Sequence, residues 1–202
     1  MSEDLVKKIV EEEWIMFDAV NKGSGVRASC QDDSRTFYIM RSSQAAAWTE
    51  ELQESYLGDL LTAKEKGRNL LTEKYAQMMS STDPARYERI KDRLPEISEE
   101  TLSDIEEIIR IQLKWKLEVF RKYPHLTANG RSFYTKDDTF FNTSFETYLR
   151  GELKTYSAET VKLYLEMVRE MDANGENLEQ NCLLNTVKQY GYDSLEQAES
   201  RN

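Results

Sequence analysis

SEETLSDIEEIIRIQLKWKLEVFRKY, residues 98–123, is the stretch that decides the fold class. Leu102, Ile105, Ile108, Ile109, Leu113, Lys116, Leu117 and Phe120 recur at three- and four-residue spacing, the period of one face of an α-helix. Ser98 stands at the N-cap position, and Glu99 and Glu100 place carboxylates in the first turn, where the helix dipole favours them. Pro124 follows the last turn and cannot continue an interior helical hydrogen-bond ladder. A helix this long with one apolar stripe must bury that stripe against other elements.

Toward the N-terminus, the pattern stays helical. Leu94-Pro95-Glu96-Ile97 reads as an extended linker, and Pro84 opens a short helix through about Asp92. Residues 70–79 form another helix, with Leu71, Tyr75, Met78 and Met79 inward and Glu73 and Lys74 as surface charges. Residues 34–66 read as one long helix with a break expected near Gly58, its apolar face being Phe37, Met40, Ala45, Trp48, Leu52, Tyr56 and Leu60. Asp32 or Asp33 caps it. Residues 3–21 carry Val6, Ile9, Val10, Met16, Phe17 and Val20 at helical spacing, and the glycines of segment 21–25 stop that helix.

Toward the C-terminus, residues 127–142 form an aromatic-rich loop, expected either to pack down or to serve in binding. Thr143 or Ser144 caps the next helix, with a capping box expected from Thr143 to Glu146. Glu146 and Arg150 are spaced for a helix-surface ion pair. Helices follow from Ser157 to about Asn174 and from about Asn177 to Tyr190, and Asp193 caps a tail helix. No strand alternation or repeat occurs. The expectation is an all-α fold: one globular bundle of seven to eight helices spanning 1–202, without a sheet, with 193–202 a short tail helix and frayed end.

Composition narrows the function classes. The net charge is −10, with Lys and Arg interspersed among Asp and Glu. Nucleic-acid and anionic-membrane binding both need clustered cations, so neither is expected. No apolar run reaches membrane-spanning length, and Met1-Ser2-Glu3-Asp4 lacks the basic-then-apolar order of a signal peptide. A cytoplasmic chain is expected. The two cysteines, Cys30 and Cys182, do not make a disulfide scaffold.

The densest chemistry lies in Arg27-Ala28-Ser29-Cys30-Gln31-Asp32-Asp33. Arg27, and the helix N-terminus after Gln31, would lower the Cys30 thiol pKa, while Asp32 and Asp33 oppose this; a buried, inert cysteine is the simpler reading. Arg41 and Gln44 share a stripe with Phe37 and Trp48, so they line a cleft or meet core partners. Glu13 interrupts an apolar stripe, with an edge position the simpler reading, and Glu152 repeats the pattern beside Tyr148 and Leu149. The Glu50-Glu51-Leu52-Gln53-Glu54 run resembles the metal-holding helix of all-α nucleotide pyrophosphatases, but no ExxD segment follows, so it reads as a solvated face. Arg121 and His125 are too closely spaced for the Arg-His pair of HEPN-type ribonucleases, and one histidine cannot build a di-iron or zinc site. No metal site is expected, and no cofactor is indicated.

RASCQDD (27–33), the preceding EWIMF (13–17), NLLTEKYAQMM (69–79) and TSFETYLRGELKTYS (143–157) together resemble a bacterial family of uncharacterised all-helical proteins, domain-of-unknown-function family 4125. The resemblance covers nearly the whole chain. It implies a helical accessory to a nucleotidyltransferase-like partner, helping to bind a nucleotide or another substrate. On the residues themselves, Arg27, Gln31, Arg41, Gln44 and Trp48 are the candidate seat for a small anionic ligand, such as a nucleotide or phosphate. The alternatives are an enzyme using Cys30 as nucleophile or Glu13, Asp32 and Glu152 as acid, base or metal ligands, and a pocketless protein-interaction module.

Overall fold

The computed structural model describes residues 3–20 and 29–201, with the side chains of Ser29 and Cys30 excepted. Among these residues there are eleven α-helices and no strand: α1 Glu3–Asp18, α2 Ser34–Ala45, α3 Glu50–Glu65, α4 Leu70–Thr82, α5 Pro84–Ile90, α6 Glu99–Lys122, α7 Pro124–Thr127, α8 Phe145–Leu153, α9 Ala158–Ala173, α10 Leu178–Gln189 and α11 Leu195–Arg201. The expected count of seven to eight is too low. Residues 34–66 are two helices, and a one-turn helix, α7, follows α6 where only the end of that helix was expected, while the expected tail helix is α11.

The break in 34–66 falls at 46–49, not at Gly58, which lies inside α3. Side chains hold the corner open. Thr49 caps α3 by accepting from the Leu52 amide, and Gln53 donates its carboxamide to the carbonyls of Ala45, at the end of α2, and Trp48, within the corner. Carbonyls stranded at a helix end need such partners. Interior glycine costs a helix only about 1 kcal/mol relative to alanine, too little to break α3.

Most other ends follow simple capping chemistry. Asp33, Asn69, Asp83, Ser98, Ser157 and Asn177 each accept from a backbone amide three residues on. Ser144, not Thr143, caps α8, and Glu146 instead accepts from the Thr135 amide and pairs with Arg150 at 2.9 Å. At α11, it is the Ser194 hydroxyl, rather than Asp193, that accepts from the Gln197 amide. Glu199 takes the His125 and Leu126 amides, which lets a helical turn resume after Pro124.

The helices form two packed groups. In one, α1 touches α2, α3 and α4; in the other, α6 touches α8, α9 and α10. The groups meet along three lines, α2 on α10, α3 on α9 and α4 on α8. The inner face of α6 is Ile105, Ile108, Ile109, Gln112, Trp115 and Val119; Phe120 is turned partly outward, as is Met40 of α2. Among the described residues, no helix is long and apolar enough to cross a membrane.

The α4–α8 contact is close because Gly151 has no side chain. A Cβ there would sit 2.8 Å from Met78 Cγ and 3.1 Å from the Lys74 carbonyl. Gly151→Ala is therefore expected to destabilise the protein by about 1–3 kcal/mol through overpacking. Gly58→Ala, which meets nothing within 4 Å, is expected to be neutral or to stabilise by up to about 1 kcal/mol. Urea unfolding of the two variants checks the contrast; equal effects would show that the helices are not held at this distance.

Candidate functional site

Four of the sequence-predicted groups, Glu13, Arg41, Gln44 and Glu152, converge between the two helix groups. Arg41 of α2 donates from Nε to Glu13 Oε2 of α1 at 2.7 Å, and from Nη2 to Glu13 Oε1. It also reaches Glu152 of α8, from Nη1 and Nη2 to Oε1, both at 3.1 Å. Gln44, one turn along α2, accepts from Arg41 Nη1 at 2.8 Å and donates to Glu152 Oε1 at 3.2 Å. Glu13 is thus buried with a partner, which corrects the edge reading: the 0% exposure of its side-chain-bearing residue leaves no access to water.

Lys74 completes the arrangement and corrects another reading. It is 2% exposed, not a surface charge. Its Nζ donates to Glu152 Oε2 at 2.5 Å and lies 3.5 Å from the Tyr148 ring centroid. Two tyrosines supply further donors: Tyr56 of α3 to Glu13 Oε1 at 2.6 Å, and Tyr156, after α8, to Glu152 Oε1 at 3.0 Å. Two cations face two carboxylates, and the charge cancels.

The electrostatics follow from this closure. Burial alone would raise the Glu152 pKa, but Arg41 and Lys74 outweigh it and hold the carboxyl far below its usual range. Burial likewise opposes the Arg41 cation, yet Glu13 and Glu152 keep it more firmly charged than usual. Tyr56 and Tyr156 are pushed well up, by burial first and then by the carboxylates they serve.

The other candidates lie elsewhere. Gln31 is buried and donates to the Phe17 and Val20 carbonyls, covering the end of α1. Trp48 is buried with its ring edge-on to Tyr56 and Tyr164, at 5.5 and 5.7 Å. Asp32 is exposed in a short 3-10 turn, whereas Glu13 and Glu152 are buried. Arg27, the glycines of 21–25 and the Cys30 side chain lie outside the described residues. Among the described residues, no three His, Cys, Asp or Glu side chains gather as a metal site. The 127–142 loop is held down by Asp138, which accepts from Ser81, Thr147 and the Ser144 amide, each at 2.6 Å. Its tip leaves Phe140 and Phe141 exposed.

A cleft of about 350 Å³ opens on the far side of Tyr156. Its walls are the end of α3 and the α3–α4 turn (Asp59, Thr62, Lys66, Arg68), the linker before α6 (Pro95 to Ser98) and the α8–α9 turn (Lys154 to Ala158). Three cationic side chains, Lys66, Arg68 and Lys154, meet two carboxylates, Asp59 and Glu96. Arg68 is gripped by Glu73 through bonds of 2.8 and 2.6 Å, and Asp59 accepts from the Ser157 amide. Lys154 makes no ion pair among the described residues. Burial first, and then the Arg150 charge, lower its pKa.

The sequence profile of a family described as a protein of unknown function, DUF4125, matches residues 3–200. The chain belongs to the DUF4125 family. The match takes in both the buried network and the cleft, so each is part of the DUF4125 domain rather than an appendage to it. No curated protein and no solved structure matches the chain.

In this DUF4125 sequence the one local sign of Lys74's burial is the helical stripe it shares with Leu71 and Met78. Lys66, Arg68 and Lys154 stand at or beyond helix ends, where no periodicity marks them as candidates.

Arg41→Met and Glu152→Gln are each expected to cost about 3–5 kcal/mol, because each strands a buried charge. Glu152 has a depressed native pKa, so its contribution is complete above the ordinary carboxyl value of 4.5 and is lost as pH falls from there toward the lower native value. Urea unfolding across that acid range is expected to show a steeper loss in the parent than in Glu152→Gln. Parallel curves would mean that the carboxylate is not held by its cations.

Proposed function

We propose that the chain binds a small anionic ligand, a phosphate or the phosphate of a nucleotide, in the cleft bounded by the α3–α4 turn, the pre-α6 linker and the α8–α9 turn. The observation that carries this reading is Lys154. It is half-buried in the cleft wall, without a carboxylate partner among the described residues, in a chain of net charge −10. An unpaired ammonium drawn out of water is stabilised by an arriving anion. Lys66 and Arg68 add two further cations to the same walls. The N-terminal ends of α6 and α9, capped by Ser98 and Ser157, lie at its edge, with the polarity that favours negative charge.

The seat differs from the one read in the sequence. Arg41 and Gln44 already hydrogen-bond Glu13 and Glu152, so a guest there would have to break a closed set of bonds. The cleft offers Lys66 and Lys154, which make no ion pair among the described residues, beside an Arg68 already held by Glu73. A nucleotidyltransferase-like partner, implied by the family resemblance, is the proposed source of the nucleotide, with this domain as its accessory.

Thermal unfolding with inorganic phosphate, AMP and ATP, at ionic strength matched with sodium chloride, tests the reading. Ligand at a hundredfold over Kd stabilises by about 2.7 kcal/mol, which for a chain of this size raises Tm by roughly 5–10 °C. Lys154→Gln, and the pair Lys66→Gln with Arg68→Gln, are each expected to weaken binding about tenfold or more, which roughly halves the shift at that ligand concentration. No shift with any of the three anions, or shifts unchanged in the variants, would remove the cleft as the binding site.

A further inference from the structure

We propose that Lys154 is a modification site: a nucleophilic amine that takes the acyl group of a small acyl phosphate held in this cleft. The inference rests on the anion-binding reading and adds a reaction to it.

The amine is left open by its neighbours. Lys154 is the C-cap residue of α8, with its backbone amide bonded to the Arg150 carbonyl, and it follows Leu153, which is wholly buried in the core. The nearby Glu106 would be its natural partner, but both Glu106 oxygens are taken by Arg150, at 2.6 and 2.8 Å. Glu146 is likewise given to Arg150, at 2.9 Å. Arg150 therefore sets a positive charge near Lys154 and holds the one carboxylate, Glu106, that would balance it. Other lysines are placed differently. Lys64, Lys91, Lys114 and Lys116 sit in ion pairs, and Lys74 is sealed against Glu152.

The charged groups around the cleft favour the same chemistry. Arg150 of α8 and Glu106 of α6 stand behind Lys154; Lys66, Arg68, Asp59 and Glu96 share the walls with it. A raised fraction of neutral amine follows from burial and from the Arg150 charge, and the neutral amine is the nucleophile. Lys66 and Arg68 are suited to hold the phosphoryl end. The amine nitrogen attacks the carbonyl carbon and forms the N–C bond. The C–O bond to phosphorus oxygen breaks, and inorganic phosphate leaves with the electron pair. The amine proton passes to the departing phosphate or to water. The product is a neutral amide, so acylation removes one cation from the cleft and weakens its hold on anions.

The test uses the full chain with two reagents near neutral pH, acetyl phosphate and the uncharged N-hydroxysuccinimidyl acetate, following each lysine by peptide mass spectrometry. With acetyl phosphate, Lys154 is expected to label at least about fivefold faster than exposed Lys8 and Lys162, outside the cleft. Excess inorganic phosphate should slow that labelling. The Lys66→Gln, Arg68→Gln pair should abolish the preference for acetyl phosphate while leaving the reaction with the uncharged reagent. The rate at Lys154 should also reach its plateau at a pH below the ordinary lysine range. Labelling of Lys154 no faster than Lys8 and Lys162 overturns the inference, as does fast labelling that phosphate does not slow. Thermal stabilisation by phosphate reports separately on the cleft: phosphate binding without Lys154 labelling defeats the reaction and leaves the binding site standing.

Discussion

Two positive and two negative side chains are buried together at the centre of this protein, and the fold must keep them together. Glu13, Arg41, Lys74 and Glu152 come from α1, α2, α4 and α8. An isolated buried charge costs several kcal/mol even after relaxation, and that cost is met only with good geometry and saturated hydrogen bonds. Here Tyr56, Tyr156 and Gln44 supply the remaining donors. Arg41 contributes a planar fork whose fixed geometry suits two carboxylates at once. Burying such a set adds little net stability compared with apolar residues of the same size. What it adds is position. Glu152 can meet Arg41 and Lys74 together only when α8 sits at one height along α4, and the bare Gly151 lets it come close enough.

The sequence made the helices legible and hid their partners. The stripe on residues 98–123, the caps at Ser98 and Ser157, and Pro84 at a helix start all follow from local chemistry. The corner at 46–49 does not. It depends on Gln53 reaching back to two carbonyls, and glutamine in a helix carries no local signal for that role. Glu13 and Lys74 show the same limit more sharply. Each occupies an apolar stripe, so its periodic position argues for burial while its charge argues against it. Only a partner distant in the chain decides the matter: 28 residues separate Glu13 from Arg41, and 78 separate Lys74 from Glu152. The candidates Arg41, Glu13 and Glu152 did stand out as charges among apolar neighbours. That pattern marks an unusual environment, and it does not distinguish a binding site from a closed internal network.

The network and the cleft differ in a way that physical chemistry makes plain. Within the network, each cation already has its carboxylates, and an entering ligand would gain only what it displaced. In the cleft, Lys154 stands unpaired among the described residues while Arg150 holds both oxygens of the nearby Glu106. Recognition of an anion needs charge that is partly desolvated and not yet spent on internal partners. By that criterion the proposed binding belongs, among the described residues, at the turns around Lys154 rather than at the closed helix faces.

The two features are nevertheless joined through Tyr156. Its hydroxyl donates to Glu152 inside the network, while the residue itself forms part of the cleft wall. Lys154 lies two residues beyond Glu152, on the turn that the network anchors at one end and Ser157, bonded to Asp59, fixes at the other. A short turn pinned at both ends loses little further freedom when a ligand arrives, so less of the interaction energy is spent on ordering it. The buried charges thus support the cleft wall from behind, without lining the cleft themselves. They hold rigid the wall that carries its unpaired amine, and a protein that loosened them would keep the cleft's residues while losing their alignment.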